Sequence, residues 1–431
     1  MSKEENRKNF SKYVSQNILG MIGFSCYVLA DSYFISIAKG ADGLTALNLV
    51  MPLYSIIFSI GEMIGVGSAI RYAISKIKKD ADADGYFWNA LIWCILSSML
   101  FVFAGIFFSA DIMRVLGADE HIVAVGNNYT KIFMCFAPMF MCNYVTNAFV
   151  RNDGAPGIAM SATLFSSLFN IVFDYILMFP MNLGMEGAAL ATALSPIIGM
   201  GICSIHFFSK KSSVRLVVCK PSVRKLVAGC QLGISAFVGE MSSAVITLVF
   251  NFVILKLAGN VGVAAYGVVA NIAIVTTAVF NGVAQGSQPL ISSCFGRGDK
   301  DGCTQLKRMG YTTAFVLAAV MYSILFIFAG QFVAVFNSEG SEMLRLYATE
   351  GVKLYFIGIF FAGINIVGGG AFSATEDAFK AAVVSVARGF VLILGAVFVM
   401  SALFGMTGVW LAYAVAEGIT TFIMLVMALR V

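Results

Sequence analysis

The segment SKKSSVRLVVCKPSVRKLVA, residues 209–228, holds six lysines and arginines (Lys210, Lys211, Arg215, Lys220, Arg224 and Lys225) and no acid. It lies near the middle of a 431-residue chain, and the sequence on both sides of it is apolar for long stretches. A basic loop between runs of about 20 apolar residues is the part of a bilayer-threading chain that must stay in water. The whole chain fits that reading. It is 59% hydrophobic and 12% charged, about half the charge of an ordinary soluble protein, with a mean hydropathy of +0.87. A fold in water would lack a polar shell, so the fold class is an all-α integral membrane protein whose first partner is the lipid bilayer.

Working outward from the loop, six apolar spans fit on its N-terminal side, near 14–38, 47–75, 86–108, 127–150, 157–180 and 185–208. Six more fit on its C-terminal side, near 229–256, 263–294, 310–336, 346–373, 379–403 and 407–430. The expected organisation is a six-helix bundle over 1–208, a linker at 209–228 and a second six-helix bundle over 229–431. The other basic residues gather in every second loop: Lys3, Arg7, Lys8 and Lys12; Arg71, Lys76, Lys78 and Lys79; Arg151; Arg297, Lys300, Lys307 and Arg308; Lys380; and Arg430. The alternate loops hold little beyond Lys39, Arg114, Lys256 and Arg345. The positive-inside rule then places both termini in the cytoplasm, which requires an even number of spans. The N-terminal MSKEENRKNFSKYVSQ has no short apolar core followed by a cleavage site, so the first span is expected to remain in the membrane.

The two halves resemble each other. GADGLTALNLV (40–50) aligns with GNVGVAAYGVV (259–269), and VGS (66–68) aligns with QGS (285–287) at the same offset. GMEGAALATA (184–193) aligns with GMTGVWLAYA (405–414) after a drift of two residues. An even number of spans per half makes the repeats parallel, related by an axis along the membrane normal. Paired bundles of this kind are typical of secondary transporters, with the substrate path between the halves.

Five acids fall well inside apolar spans: Asp31, Glu62, Asp174, Glu240 and Glu417. Each costs on the order of 2.5–3.5 kcal/mol at a helix centre, so each should face the interior or a wet cavity. At about 1.5 Å per residue, Asp31, Asp174 and Thr192 reach similar depths in the outer half of the N-terminal bundle. Asn170 precedes Asp174 by four residues and shares its helix face. No basic residue lies mid-span nearby, so these carboxylates must take up a proton or bind a cation. Their oxygen atoms suit Na⁺, and the same acids suit H⁺. The counterpart of Asp174 in the second half falls near Gly395 to Val397, without an acid, which assigns the coupling site to the N-terminal half. Glu62 and Glu417 lie nearer the midplane, and Glu240 toward the cytoplasmic half of its span. All three are substrate-cavity candidates for a cationic compound. Pro52, Pro138, Pro196 and Pro289 are expected to kink or break helices around that cavity.

Other classes lack support. There is no G-x-x-x-x-G-K-[ST], and no enzyme signature or cofactor motif is apparent. GRGDKDG (296–302) lacks the ligand spacing of a calcium loop and reads as a turn. His121 and His206 are too few and too far apart for a His-based metal site, and the nine cysteines contain no C-x-x-C. No basic patch interleaves with aromatics, so no nucleic-acid partner is expected.

The stretch following Arg151, NDGAPGIAMSATLFSSLFNIVFDYILMFPMNLGMEGAALATALS (152–195), resembles the multidrug and toxic compound extrusion (MATE) family. GVAAYGVVANI (262–272) and GVAQGSQPLISSCFGRGD (282–299) resemble it equally, in the branch with DNA-damage-inducible-type and staphylococcal-type bacterial pumps. The resemblance implies two lobes forming a V and antiport of Na⁺ or H⁺ against small organic, often cationic, compounds. A monomer in a prokaryotic inner membrane is expected. Family cation-site positions carry over to Asp31, Asn170, Asp174 and Thr192, and Glu240 falls near an acid that some members use. The first span has Gly20 and Gly23 where some members bend at a proline. Two competing readings are a flippase for lipid-linked sugars on a related plan, which would want several mid-span basic residues for a pyrophosphate, and a non-transporting membrane scaffold or receptor.

Overall fold

The structure, a computed structural model, describes residues 3–80, 82–336 and 340–429; Arg430, counted above with the basic loops, lies outside them. No strand occurs among the described residues. The N-terminal bundle comprises α1 (Lys3–Gly40), α2 (Asp42–Ile77), α3 (Gly85–Val115), α4 (Glu120–Cys135 with Ala137–Asn152), α5 (Pro156–Met178) and α6 (Gly184–Phe207). In the second bundle, Val223–Gly296 divides at Gly259 into α7 (223–258) and α8 (260–296). There follow α9 (Lys300–Ile327 with Ala329–Phe336), α10 (Glu342–Ala374), α11 (378–404) and α12 (406–429), the last two divided at Gly405.

Nine of the described helices are long and apolar enough to cross a membrane, or ten when the bent pair forming α4 counts as one span. The divisions at Gly259 and Gly405 add two, giving the twelve spans expected. Each division is set by one residue. Gly40 has φ/ψ of 58°/−140°, Gly259 60°/−158° and Gly405 57°/−133°. Nothing lies within 4 Å of where a Cβ would stand at any of the three. Backbone conformation, not crowding, therefore requires glycine there, since this region of φ/ψ is closed to residues with a Cβ. Gly40 and Gly259 head one aligned pair of segments. Gly184, also at positive φ (53°), and Gly405 head another. The internal repeat is thus a repeat of hairpin geometry.

Several helices depart from the expected spans. α1 is already helical at Lys3, well before residue 14, because Phe10 and Val14 pack into the core of the C-terminal bundle and Asn6 bonds Gln305 at 3.2 Å. α4 bends by 46° at Phe136, just before Pro138; Pro52, Pro196 and Pro289 sit inside continuous helices. α11 contains a π-turn over Ala387–Val391. The last residues of 209–228 are already helical, since α7 begins at Val223. Asp299 caps α9, its Oδ1 accepting from Gly302 N at 2.8 Å, so 296–302 is a helix-starting turn.

The bundles meet through glycines toward the side that carries the termini and the basic linker. A Cβ at Gly67 of α2 would stand 2.0 Å from Gly229 O, and one at Gly233 of α7 would stand 2.0 Å from Met63 O. The pseudo-equivalent contact sets Gly282 and Gly286 of α8 against Ile18 and Val14 of α1, with a Cβ meeting their Cα atoms at 2.6 and 2.8 Å. Such approach requires small residues. Arg71 reaches across to pair with Glu376, and Lys78 joins the same carboxylate at 3.4 Å.

Candidate functional site

Three helices of the N-terminal bundle place the candidate ion ligands. Asp31 on α1, Asn170 and Asp174 on α5, and Thr192 on α6 are all buried, Asn170 and Asp174 completely. The Asn170 amide satisfies both neighbours when Nδ2 donates to Asp174 Oδ2 (3.1 Å) and Oδ1 accepts from Thr192 Oγ1 (3.1 Å) and Thr192 N (3.3 Å). Asp31 lies within electrostatic reach of Asp174. Phe34, one turn beyond Asp31, packs on Tyr175 beside Asp174 with centroids 6.2 Å apart, which fixes α1 against α5 at this level. Oδ1 of Asp31 and Oδ1 of Asp174 are buried without a hydrogen-bond partner. Two carboxylates, an amide and a hydroxyl are therefore buried in the same part of the bundle, with one oxygen of each carboxylate lacking a hydrogen-bond partner. Beyond them, on the side away from the termini, opens a groove of about 380 Å³ lined by Ile37, Ala38, Lys39, Met178, Phe179, Asn182, Leu183 and Gly184. Tyr54 and Tyr129 bond hydroxyl to hydroxyl nearby, Tyr54 stacked on Phe133 at 3.6 Å; sequence periodicity gave no sign of this pair.

The corresponding place in the C-terminal bundle has opposite character. The repeat offsets (259 minus 40, then 405 minus 184) carry Asp31 to Phe250 and Thr192 to Tyr413. Phe250 stacks on Tyr266 at 5.1 Å, and Tyr413 on Tyr355 at 4.4 Å with planes 4° apart. Aromatic rings fill what is an oxygen-lined pocket in the first half.

The cavity candidates separate into two groups. Glu417 is not an isolated midplane acid. Arg388, on the π-turn of α11, pairs with its Oε1 at 2.7 Å, and Asn365 of α10 donates to its Oε2 at 2.7 Å. Thr421 donates to Asn365 Oδ1 at 3.0 Å, completing a buried network. Two mid-span charges of opposite sign in consecutive spans were the available signal for this pair. Glu62 and Glu240 are half-buried and within electrostatic reach of each other. Glu62 accepts from Gln285 Nε2 of α8 at 3.1 Å. Arg151, counted with the basic loops from the sequence, instead points inward: it is 5% exposed and donates to Gln285 Oε1 at 2.6 Å. His206 is likewise buried, against Asp153 at 2.8 Å, and Ser212 and Ser213 of the linker donate to the same carboxylate. Among the described residues no cluster of three or more His, Cys, Asp or Glu is arranged for a metal ion.

Two pseudo-symmetric six-helix bundles, joined on one side and asymmetric in their buried polar groups, define a multispanning membrane protein of duplicated-bundle architecture. The particular family follows from comparison with known proteins. The MatE family model matches residues 17–176 and 236–399, and the chain belongs to that family. It is 26% identical over 409 residues to the multidrug export protein MepA of Staphylococcus saprophyticus subsp. saprophyticus, covering 93% of this chain and 89% of that protein. The MepA of Staphylococcus aureus strain MRSA252 is 28% identical over 414 residues with the same coverage. A solved outward-facing multidrug resistance MATE family transporter of the MOP superfamily superposes with a TM-score of 0.92 at 20% identity, covering 99% of this chain and 96% of that one. A MOP superfamily transporter from Pyrococcus furiosus, described as having a binding pocket of reverse polarity, superposes with a TM-score of 0.91 at 19% identity, covering 99% and 95%.

Proposed function

We propose that the chain is a secondary active multidrug exporter that antiports Na⁺ or H⁺ against small organic, often cationic, compounds by alternating access, acting as a monomer in the bacterial plasma membrane with both termini cytoplasmic. The observation that carries this reading is the pair of buried, unpartnered carboxylate oxygens on Asp31 and Asp174. A buried anion without a partner is costly unless something cationic compensates it, and the adjoining Asn170 and Thr192 oxygens complete a donor set for a hard cation. The groove above Asp31 and Asp174 lies on the side from which the ion would enter. The half-buried Glu62 and Glu240 would hold the cationic substrate between the bundles. The family and the MepA relatives support the multidrug assignment. The flippase reading is weakened because Arg388 is committed to Glu417 and Arg151 to Gln285, which leaves neither for a pyrophosphate.

The test is efflux of a fluorescent cationic dye from liposomes under an imposed Na⁺ or H⁺ gradient. One gradient is expected to drive the dye and so name the ion. Asp31→Asn and Asp174→Asn are each expected to lower driven efflux by at least about tenfold, the equivalent of losing one charge-assisted interaction. Undiminished efflux in both variants would refute the assigned site. Efflux with neither gradient would refute antiport.

A further inference from the structure

Gln285 stands between two opposite charges that do not belong to its own bundle. Arg151 ends α4 and Glu62 sits in α2, both in the N-terminal half, whereas Gln285 projects from α8 of the C-terminal half. Arg151 and Glu62 feel each other electrostatically. They form no direct ion pair, because the amide of Gln285 is inserted between them. Its Oε1 accepts from Arg151 Nη1 at 2.6 Å and its Nε2 donates to Glu62 Oε1 at 3.1 Å. An amide presents an acceptor to the cation from one atom and a donor to the anion from another, which neither a carboxylate nor an ammonium can do. Arg151 gains a second acceptor in Asn17 Oδ1 of α1 at 3.3 Å, while its Nε has no partner. Gly282 and Gly286 flank Gln285 and admit the α1 backbone so closely that a Cβ at either would collide with it. The insertion of Gln285 is therefore set by the glycine contact that joins the bundles on the linker side.

We propose that Gln285 is a positioning residue that makes the Arg151–Glu62 pair a two-state latch on the linker-side closure. With the bundles joined there, the amide separates and satisfies both charges. With the bundles apart, Gln285 leaves with α8, and Arg151 and Glu62 close on each other as a direct ion pair within the N-terminal half. Both arrangements avoid an unpaired buried charge, which would be prohibitive. A coupling element needs two such discrete, separately satisfied states. The latch rests on the alternating-access part of the proposed function. It adds to that reading the device by which Glu62, an acid facing the inter-bundle space, is connected to closure.

The latch predicts opposite effects for its two members, where a packing role predicts the same effect. Hydrogen–deuterium exchange of the purified full chain in nanodiscs, read over residues 10–18 and 282–288, follows the closure without any transport assay. Gln285→Met removes both amide bonds from the joined state and should raise exchange there by at least about tenfold, the equivalent of losing one of the two charge-assisted hydrogen bonds. Glu62→Gln keeps an acceptor for the amide but removes the ion pair of the separated state, so exchange should fall below wild type. The exchanged pair Glu62→Gln/Gln285→Glu, in which residue 285 now bonds Arg151 as a carboxylate and accepts from the new amide at 62, should restore exchange to wild type or lower. If Gln285→Met does not reach the membrane, Gln285→Asn, one methylene short of spanning both partners, must show the same rise. Exchange raised by Glu62→Gln, or unchanged by the position-285 variants, would overturn the latch whatever dye efflux shows. A dye-efflux failure with these exchange signs intact would count against the export reading alone.

Discussion

Asp174 and Glu417 show how differently two buried carboxylates can be used. Glu417 is held by Arg388, Asn365 and, through Asn365, Thr421. Glu417→Gln would leave the Arg388 guanidinium buried and uncompensated, and should destabilise by about 3–5 kcal/mol. Replacing both partners with apolar residues, Arg388→Met with Glu417→Leu, should restore most of that loss in thermal unfolding in detergent. Asp31 and Asp174 each keep an oxygen without a partner. Asp31→Asn should therefore leave the midpoint unchanged or raise it in the absence of ions, because it removes a charge that nothing in the protein neutralises. A drop comparable to that of Glu417→Gln would show a partner that this structure lacks. The depth argument brought Asp31, Asn170, Asp174 and Thr192 to one level from sequence because it needs only helix rise and span ends. It could not see the pairs Arg388–Glu417 and Arg151–Gln285, since those depend on which helix faces meet, within the C-terminal bundle for the first and across the bundles for the second.

At the scale of elements, glycine has two separable roles. At Gly40, Gly259 and Gly405 space is free and only φ/ψ is demanding, so alanine should cost about 1–3 kcal/mol in thermal unfolding without moving the bundles relative to one another. At Gly67 and Gly233 the helical backbone tolerates alanine, but the methyl would stand 2.0 Å from a carbonyl oxygen of the opposite bundle. Gly67→Ala and Gly233→Ala should push the bundles apart on the linker side, seen as faster amide exchange over 229–233. Equal, purely local effects at both classes of glycine would contradict this division. The repeat was legible in sequence because its hairpin glycines recur at nearly fixed spacing. The early start of α1 was not, because Phe10 and Val14 earn helical structure from contact with the other half rather than from the membrane.

For the molecule as a whole, a ligand that binds the folded chain at the Asp31–Asp174 pocket must stabilise it. At a concentration 100 times its dissociation constant the gain is about 2.7 kcal/mol. If Na⁺ is the coupling ion, adding it should raise the unfolding midpoint of wild type progressively and leave that of Asp174→Asn flat, with K⁺ at equal ionic strength as the control. A parallel rise in both would assign the effect to salt and not to the site.

The aromatic filling around Phe250 and Tyr413, together with the closed Arg388–Glu417 pair, has an electrical consequence. At the counterpart of the ion pocket the C-terminal bundle carries no net charge: rings fill the place, and the one ion pair beside them, Arg388 with Glu417, cancels. Under the proposed coupling, the translocating current is carried by the other bundle. A step in coupling-ion concentration over a capacitively coupled membrane should then evoke a brief displacement current even without an organic substrate. That current should vanish in Asp31→Asn and Asp174→Asn and persist in Arg388→Met with Glu417→Leu. Under the proposed coupling such a molecule would be a rectifier made from a duplicated part, one copy moving charge and its twin serving as insulation.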